Sequence, residues 1–246
     1  MLLTFSIFRP PSVLADYRQL EADIHSHLLP GIDDGAKDVR QSLLLLKGLN
    51  EIGFSRCYAT PHISEVRFPN TSQTIKAAEQ KVAAASLQSS QGFAGVAAEY
   101  LLDSGFENKL AQGALLTLPN NRLLIEMPFA MPAENVEDTL FSLAIQGYNP
   151  ILAHPERYRY WAHKLTRFKR LEDLGCEFQV NLLSLLGYYG KTARRAGYEL
   201  IEHHGARLLG TDCHNLQQLN LLKAGLKDRR LAKLFNRFHF DNSKIK

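Results

Sequence analysis

Two short segments far apart in the chain carry metal-ligating side chains two residues apart: His25-Ser26-His27 near the start and Asp212-Cys213-His214 near the end. Along a strand successive side chains alternate between faces, so each pair points to one side and can hold a metal ion. Asp33-Asp34-Gly35, just after the first pair, adds a turn with two carboxylates. With His62, Glu99, Glu126 and His154, the candidate ligands become His25, His27, Asp34, His62, Glu99, Glu126, His154, Asp212 and His214. That is more than a single ion can use. Mixed imidazole and carboxylate donors suit Mn²⁺, Fe²⁺, Zn²⁺ or Mg²⁺, and two or three such ions together suit phosphoester hydrolysis. A water bridging the ions and deprotonated by them would attack phosphorus, while another ion takes up charge on the leaving oxygen.

Arg157 follows His154 by three residues, where its planar fork can hold a phosphate. A surface ion pair is the alternative use for that guanidinium. Arg159, Tyr158, Tyr160 and Trp161, like Tyr188 and Tyr189 further on, either line the mouth of a site or pack beneath it. A cysteine-dependent phosphatase needs an arginine six residues after its thiolate to cradle phosphate. The residues six beyond Cys57, Cys176 and Cys213 are Ile63, Leu182 and Leu219, so the thiols are read as buried and without catalytic use.

The elements that must position these groups are legible as alternation. Short apolar runs finish on His25 and His27, His62, Glu99, Glu126, His154, Asn181 and Asp212. Between them lie helix-period stretches such as Val39 to Ile52, Thr71 to Leu87, Val136 to Gln146 and Thr192 to His203. Alternating β and α segments imply a parallel sheet, and a barrel of such units gathers every strand's C-terminal end on one face. A lone polar residue at a strand end usually satisfies a local hydrogen bond; potential ligands at successive strand ends have no such common cause. Ala83 to Ser90 reads as a helix end followed by a loop.

The 246 residues fit one domain, with 45% hydrophobic and 22% charged residues and no long polar tract. The net charge of +4 is too mild to call for nucleic acid. The basic residues of Lys227 to Lys246 alternate with Leu231, Leu234 and Phe235 as in an amphipathic helix. An odd number of cysteines in a chain of this size suits a reducing compartment, so a cytoplasmic location is expected. Met1 to Pro11 has neither the basic start of a signal peptide nor the length to span a bilayer.

Taken together, Asp23-Ile-His-Ser-His-Leu-Leu-Pro-Gly-Ile-Asp-Asp-Gly-Ala-Lys37, Ala59-Thr-Pro-His62, Ala98-Glu99, Leu124-Ile-Glu-Met-Pro128, Ala153-His-Pro-Glu-Arg-Tyr158 and Gly210-Thr-Asp-Cys-His-Asn215 resemble the polymerase and histidinol phosphatase (PHP) superfamily. They are closest to its capsular and exopolysaccharide tyrosine-phosphatase branch. The resemblance implies a single-domain α/β fold, a distorted seven-stranded TIM-like barrel over residues 21–246, preceded by an extension of residues 1–20. It implies a trinuclear site, Mn²⁺ first, with Mg²⁺, Fe²⁺, Co²⁺ or Zn²⁺ as alternatives. One ion would take His25, His27, Glu99 and Asp212; a second Glu99, Glu126 and His154; a third Asp34, His62 and His214. Arg157 would contact phosphate, with Asp34, His62 and His214 in the catalytic group. The substrate implied is a phosphotyrosine protein, a tyrosine kinase of polysaccharide export, and a homo-oligomer is compatible. Where a second phosphate-binding arginine is expected after the Asp-x-His pair, the chain reads Leu216-Gln-Gln-Leu-Asn220.

Three other readings share parts of this pattern. A PHP phosphoesterase acting on histidinol phosphate or another small phosphomonoester would use the same metals. An amidohydrolase also begins with a His-x-His strand, although the Asp33-Asp34-Gly35 turn and two glutamate strand ends fit a phosphatase better. A metal-stabilised binding module would bind a partner without turnover, yet has no physical need to keep so many costly polar groups together.

Overall fold

The computed structural model describes residues 15–87, 92–113, 115–161 and 165–246. The expectations for Met1 to Pro11 and for the loop entered at Ser89 and Ser90 lie outside the described residues.

Nine short strands occur among the described residues: β1 Ala22–Asp23, β2 Arg56–Ala59, β3 His62–Ile63, β4 Phe93–Val96, β5 Glu99–Leu101, β6 Arg122–Glu126, β7 Asn149–Ala153, β8 Glu177–Asn181 and β9 Leu208–Gly210. The helices are α1 Val39–Glu51, α2 Ser72–Leu87, α3 Phe106–Gln112, α4 Val136–Ile145, α5 Leu165–Asp173, α6 Leu182–Leu185, α7 Gly190–His203, α8 Leu216–Gly225 and α9 Arg229–Arg237. All pairings between these strands are parallel, in one sheet of order β1-β2-β4 and another of order β3-β5-β6-β7-β8-β9. The fold is thus α/β, with crossover helices between parallel strands as the alternation predicts.

The strands are apolar on both faces because both faces are covered. Leu123 and Ile125 of β6 and Leu152 of β7 join the large core that also takes in the helices. The alternate residues Leu124, Ile151 and Ala153 meet Ala22, Ile24 and Leu208 in a second, smaller cluster. Strand periodicity therefore sorts one sequence run into two cores.

The two sheets touch along two lines. β2 and β3 are separated only by Thr60-Pro61, and β4 and β5 only by Ala97-Ala98; here Ala97 N–H donates to Ala59 O at 2.9 Å and Glu99 N–H to Pro61 O at 3.0 Å. At the other margin Ser26 and Cys213 form a parallel bridge, flanked by His27 N–H to Cys213 O at 3.1 Å and Asp212 N–H to His25 O at 2.8 Å.

Helix starts follow capping chemistry. Asp38 accepts from Gln41 N–H before α1, Asn215 from Gln218 N–H before α8, and Asp228 from Arg230 and Leu231 N–H before α9. The amphipathic helix expected over Lys227 to Lys246 is confined to α9. Beyond it the chain turns back so that the buried Asn242 side chain donates to Ala22 O and Leu209 O and accepts from Leu209 N–H, bracing the start of β1 against β9. Tyr17, fully buried, stacks on Phe54 and donates to Leu222 O. Cys57, Cys176 and Cys213 are free and buried, and burial pushes all three thiols up, Cys176 to about 12. No helix among the described residues is long and apolar enough to cross a membrane.

Candidate metal centre

The C-terminal ends of the strands carry the polar residues, and the backbone just beyond two of them is unusual. His154 follows β7 at φ 34° and Asp212 follows β9 at φ 50°, both left-handed and neither glycine. Such a backbone costs free energy in a side-chain-bearing residue and persists only where its surroundings impose it. Two glycines permit close approach. A Cβ on Gly35 would lie 2.2 Å from His27 O, and one on Gly210 would lie 2.8 Å from His25 Cβ.

The side chains so placed converge. Three imidazole nitrogens surround Glu99 Oε2: His25 Nε2 at 3.2 Å, His27 Nε2 at 3.4 Å and His62 Nδ1 at 3.1 Å. Three more approaches meet at Asp212 Oδ1, from His25 Nε2 at 3.5 Å, His27 Nε2 at 3.3 Å and His214 Nδ1 at 3.5 Å. On the outer side Asp34 Oδ1 faces His62 Nε2 and His214 Nε2, each at 3.5 Å. Glu126 Oε1 lies 3.1 Å from His62 Nδ1, and His154 Nε2 lies 2.8 Å from Glu99 Oε1. All nine side chains singled out in the sequence therefore come together in one place.

Their ligand atoms form four overlapping groups close enough to share an ion: His27-Asp34-His62-His214, His25-His154-Asp212, His25-His27-Glu99 and His62-Glu99-Glu126. Relative to the grouping implied by the resemblance, His62 also reaches Glu99 and Glu126, and His154 also stands with His25 and Asp212. The donor set fits divalent metal ions for a further reason. His62 Nδ1 and Glu99 Oε2 are buried at contact distance yet not oriented to hydrogen-bond, and His25 Nε2 and His27 Nε2 face each other at 3.3 Å. Buried polar atoms without hydrogen bonds are costly, and a cation among them removes that cost.

An outer layer aims the rings. His25 Nδ1 lies 2.7 Å from Gln179 Oε1, and Gln179 donates in turn to Asn181 Oδ1, which leaves its oxygen to accept from the imidazole. His27 Nδ1 is 2.8 Å from the Asp33 carboxylate, and His214 Nδ1 is 2.8 Å from Asp212 O. With each Nδ1–H donated outward, the Nε2 lone pairs of His25, His27 and His214 point into the cluster. Asp33 and Asp34, adjacent in sequence, thus do different work: Asp33 is buried behind His27, while Asp34 is half exposed at the rim. Below, Asp23 accepts from Thr211 N–H and Oγ1–H, and burial holds its carboxyl at about 6.

Electrostatics point the same way. Burial pulls His25 and His27 down, but the charges of Glu99 and Asp212 on His25, and of Asp33 on His27, outweigh it and raise both. His62, likewise opposed by burial, rises to about 10 beside Glu99. Burial would raise Asp212, yet His25, His214 and Arg157 hold it well below the carboxylate range. A negative potential strong enough to favour protons on buried imidazoles also favours metal ions there.

Above the cluster opens a cavity of about 550 Å³ whose lining includes Asp34, His62, Glu126, Arg157, Asp212 and His214. Arg157 Nη1 donates to Asp212 Oδ2 at 2.9 Å, and its guanidinium lies against Phe129 at 4.6 Å and Tyr189 at 4.1 Å. Tyr158 is buried, its hydroxyl donating to Ala153 O, and packs with Tyr160 and Trp161; Tyr188 and Tyr189 line the cavity. Sequence reasoning missed Gln179, which supports the His25 ring, and Phe129 and Arg67, which line the cavity. Gln179 alone left a trace, two positions before a noted strand end and on the same face.

A parallel α/β fold with buried imidazoles and carboxylates gathered at its strand ends defines a candidate metal-binding protein. Residues 21–222 match the family described as capsular polysaccharide synthesis, CpsB/CapC, and the chain belongs to that family. It is 28% identical over 200 residues to the tyrosine-protein phosphatase YwqE of Bacillus subtilis (strain 168), covering 80% of this chain and 79% of that protein. It is 27% identical over 215 residues to the putative tyrosine-protein phosphatase CapC of Staphylococcus aureus, covering 85% and 83%. Among solved structures, one described with YwqE from Bacillus subtilis and CpsB from Streptococcus pneumoniae as unique metal-dependent tyrosine phosphatases superimposes with a TM-score of 0.74 at 25% identity, covering 91% of this chain and 93% of the other.

Proposed function

We propose that this protein is a metal-dependent phosphotyrosine-protein phosphatase. The observation that carries the reading is the convergence of His25, His27, Asp34, His62, Glu99, Glu126, His154, Asp212 and His214 on one buried cluster beneath an open cavity, in a chain whose relatives are named tyrosine-protein phosphatases. His25, His27, Glu99 and Asp212 would hold one ion, Glu99, Glu126 and His154 a second, and Asp34, His62 and His214 a third; Mn²⁺ is the first choice for this imidazole and carboxylate mixture. Such ions, when bound, polarise phosphoryl oxygens and bring the pKa of water towards neutrality.

The chain's own residues supply the rest. Arg157, held between Phe129 and Tyr189, offers a fork to the phosphoryl oxygens, and its pairing with Asp212 keeps it beside the cluster. Asp34, His62 and His214 stand at the open side and meet the substrate first. Phe68, Phe129 and Tyr188 give the cavity apolar walls suited to an aryl group. A polysaccharide-export tyrosine kinase is the substrate we favour, from the family's description. Three free buried thiols fit a cytoplasmic setting. We read residues 21–246 as one domain and its sheets as a distorted seven-stranded barrel. Support comes from the bonds joining β2-β3 to β4-β5, the Ser26–Cys213 bridge at the other margin and the separate inner cluster of Leu124, Ile151 and Leu208.

The test is phosphate release from a phosphotyrosine peptide with Mn²⁺ or with EDTA, beside phosphoserine peptide and histidinol phosphate. Mn²⁺-dependent release from phosphotyrosine is expected. A preference for histidinol phosphate would move the activity to small phosphomonoesters, and no release from any of the three would leave a binding module.

A further inference from the structure

Among the described residues two guanidinium groups line the cavity, and only Arg157 has a use so far. Resting on the phosphatase reading, we propose that Arg67 is a second phosphate-contacting residue, reaching the phosphoryl group from the Asp34 side as Arg157 does from the Asp212 side.

The two arginines are placed alike. Arg157 binds Asp212 Oδ2 while Asp212 Oδ1 faces His27 Nε2 and His214 Nδ1. Arg67 Nη2 lies 3.3 Å from Asp34 Oδ2 while Asp34 Oδ1 faces His62 Nε2 and His214 Nε2. Each guanidinium is one carboxylate away from the same His214 ring, so an anion bound over that ring is within reach of both.

They differ in how firmly they are held. Arg157 is largely covered, whereas the Arg67 side chain is 74% exposed with one long contact to a half-exposed carboxylate. A pair of that kind contributes little stability, so Arg67 can leave Asp34 for a phosphate at small cost. Its backbone is nonetheless fixed. Ser64 N–H donates to Phe68 O, Phe68 N–H to Ser64 Oγ, Glu65 N–H to Asp103 Oδ2, and Asn70 Nδ2 to both His62 O and Ile32 O. The Arg67 guanidinium rests 5.0 Å from the Phe68 ring, which stacks on His62 at 5.2 Å and 9°. An exposed head group on a braced loop beside the cluster is how a substrate clamp is built.

The test is calorimetric binding of inorganic phosphate to the Mn²⁺-loaded full chain, with metal content by elemental analysis and KM for a phosphotyrosine peptide. Arg67→Ala should weaken phosphate about tenfold or more and raise KM in step, as loss of a charge-assisted contact does, with bound metal unchanged. Arg67→Lys, which keeps the charge and loses the fork, should fall between. Arg40→Ala, removing an exposed cation of α1 outside the cavity, should bind phosphate as wild type. Unchanged phosphate binding in Arg67→Ala overturns the proposal, as does weakening that comes with lost metal or appears equally in Arg40→Ala. A wild-type chain that binds phosphate but hydrolyses nothing counts against the phosphatase reading, while the Arg67 comparison still decides this one.

Discussion

Asp212 serves several partners at once: one oxygen faces three imidazoles, and the other accepts from Arg157, Asn181 and Tyr189. Removing it should affect metal and substrate together. On the proposed assignment, Asp212→Ala and His154→Ala each lower phosphotyrosine hydrolysis by orders of magnitude while circular dichroism shows a folded chain; full activity in either folded variant would remove that residue from the site. Arg157→Ala should instead raise KM and leave metal content intact. Gln179 makes a subtler case, since it touches no substrate. Its amide fixes which His25 nitrogen faces inward, so Gln179→Leu should weaken metal affinity about 10- to 100-fold in a metal titration. Wild-type affinity would show that the ring needs no such support.

At the scale of elements, the turn after β1 and the start of α9 offer a contrast. Gly35 sits where a Cβ would meet the His27 backbone, so Gly35→Ala should destabilise the fold by about 1–3 kcal/mol in denaturant unfolding and disturb the His27 ring. Asp228→Ala removes the α9 cap and a 3.3 Å ion pair with Arg194, should cost about 1 kcal/mol, and should leave hydrolysis unchanged. These elements also show what could be read beforehand. α1, α2, α4 and α7 lie within a few residues of the stretches with helical period. The gathering of the nine side chains was legible because parallel strands place their ends together. The breaks at Thr60-Pro61 and Ala97-Ala98 were not, since each belongs to a continuous small or apolar run. Nor was the role of Asp33, which the His27 ring meets across the turn. The left-handed backbone of His154 and Asp212 has only a weak signature, since Asp and His enter that region more readily than most residues but still seldom.

For the whole molecule, the cluster joins residues drawn from β1 to the segment before α8, so its occupancy bears on global stability as well as chemistry. Mn²⁺ at a hundredfold over its dissociation constant should stabilise the chain by about 2.7 kcal/mol, roughly 5–10 °C in the unfolding midpoint, and EDTA should reverse it. A midpoint insensitive to both would mean that the cluster takes no metal in the folded state. The strained residues add something for protein engineering. His154 and Asp212 hold a conformation that glycine adopts freely. A glycine at either position would relax the backbone but strand the buried groups that Asp212 and His154 now satisfy, so a library screened for longevity alone should still keep both codons.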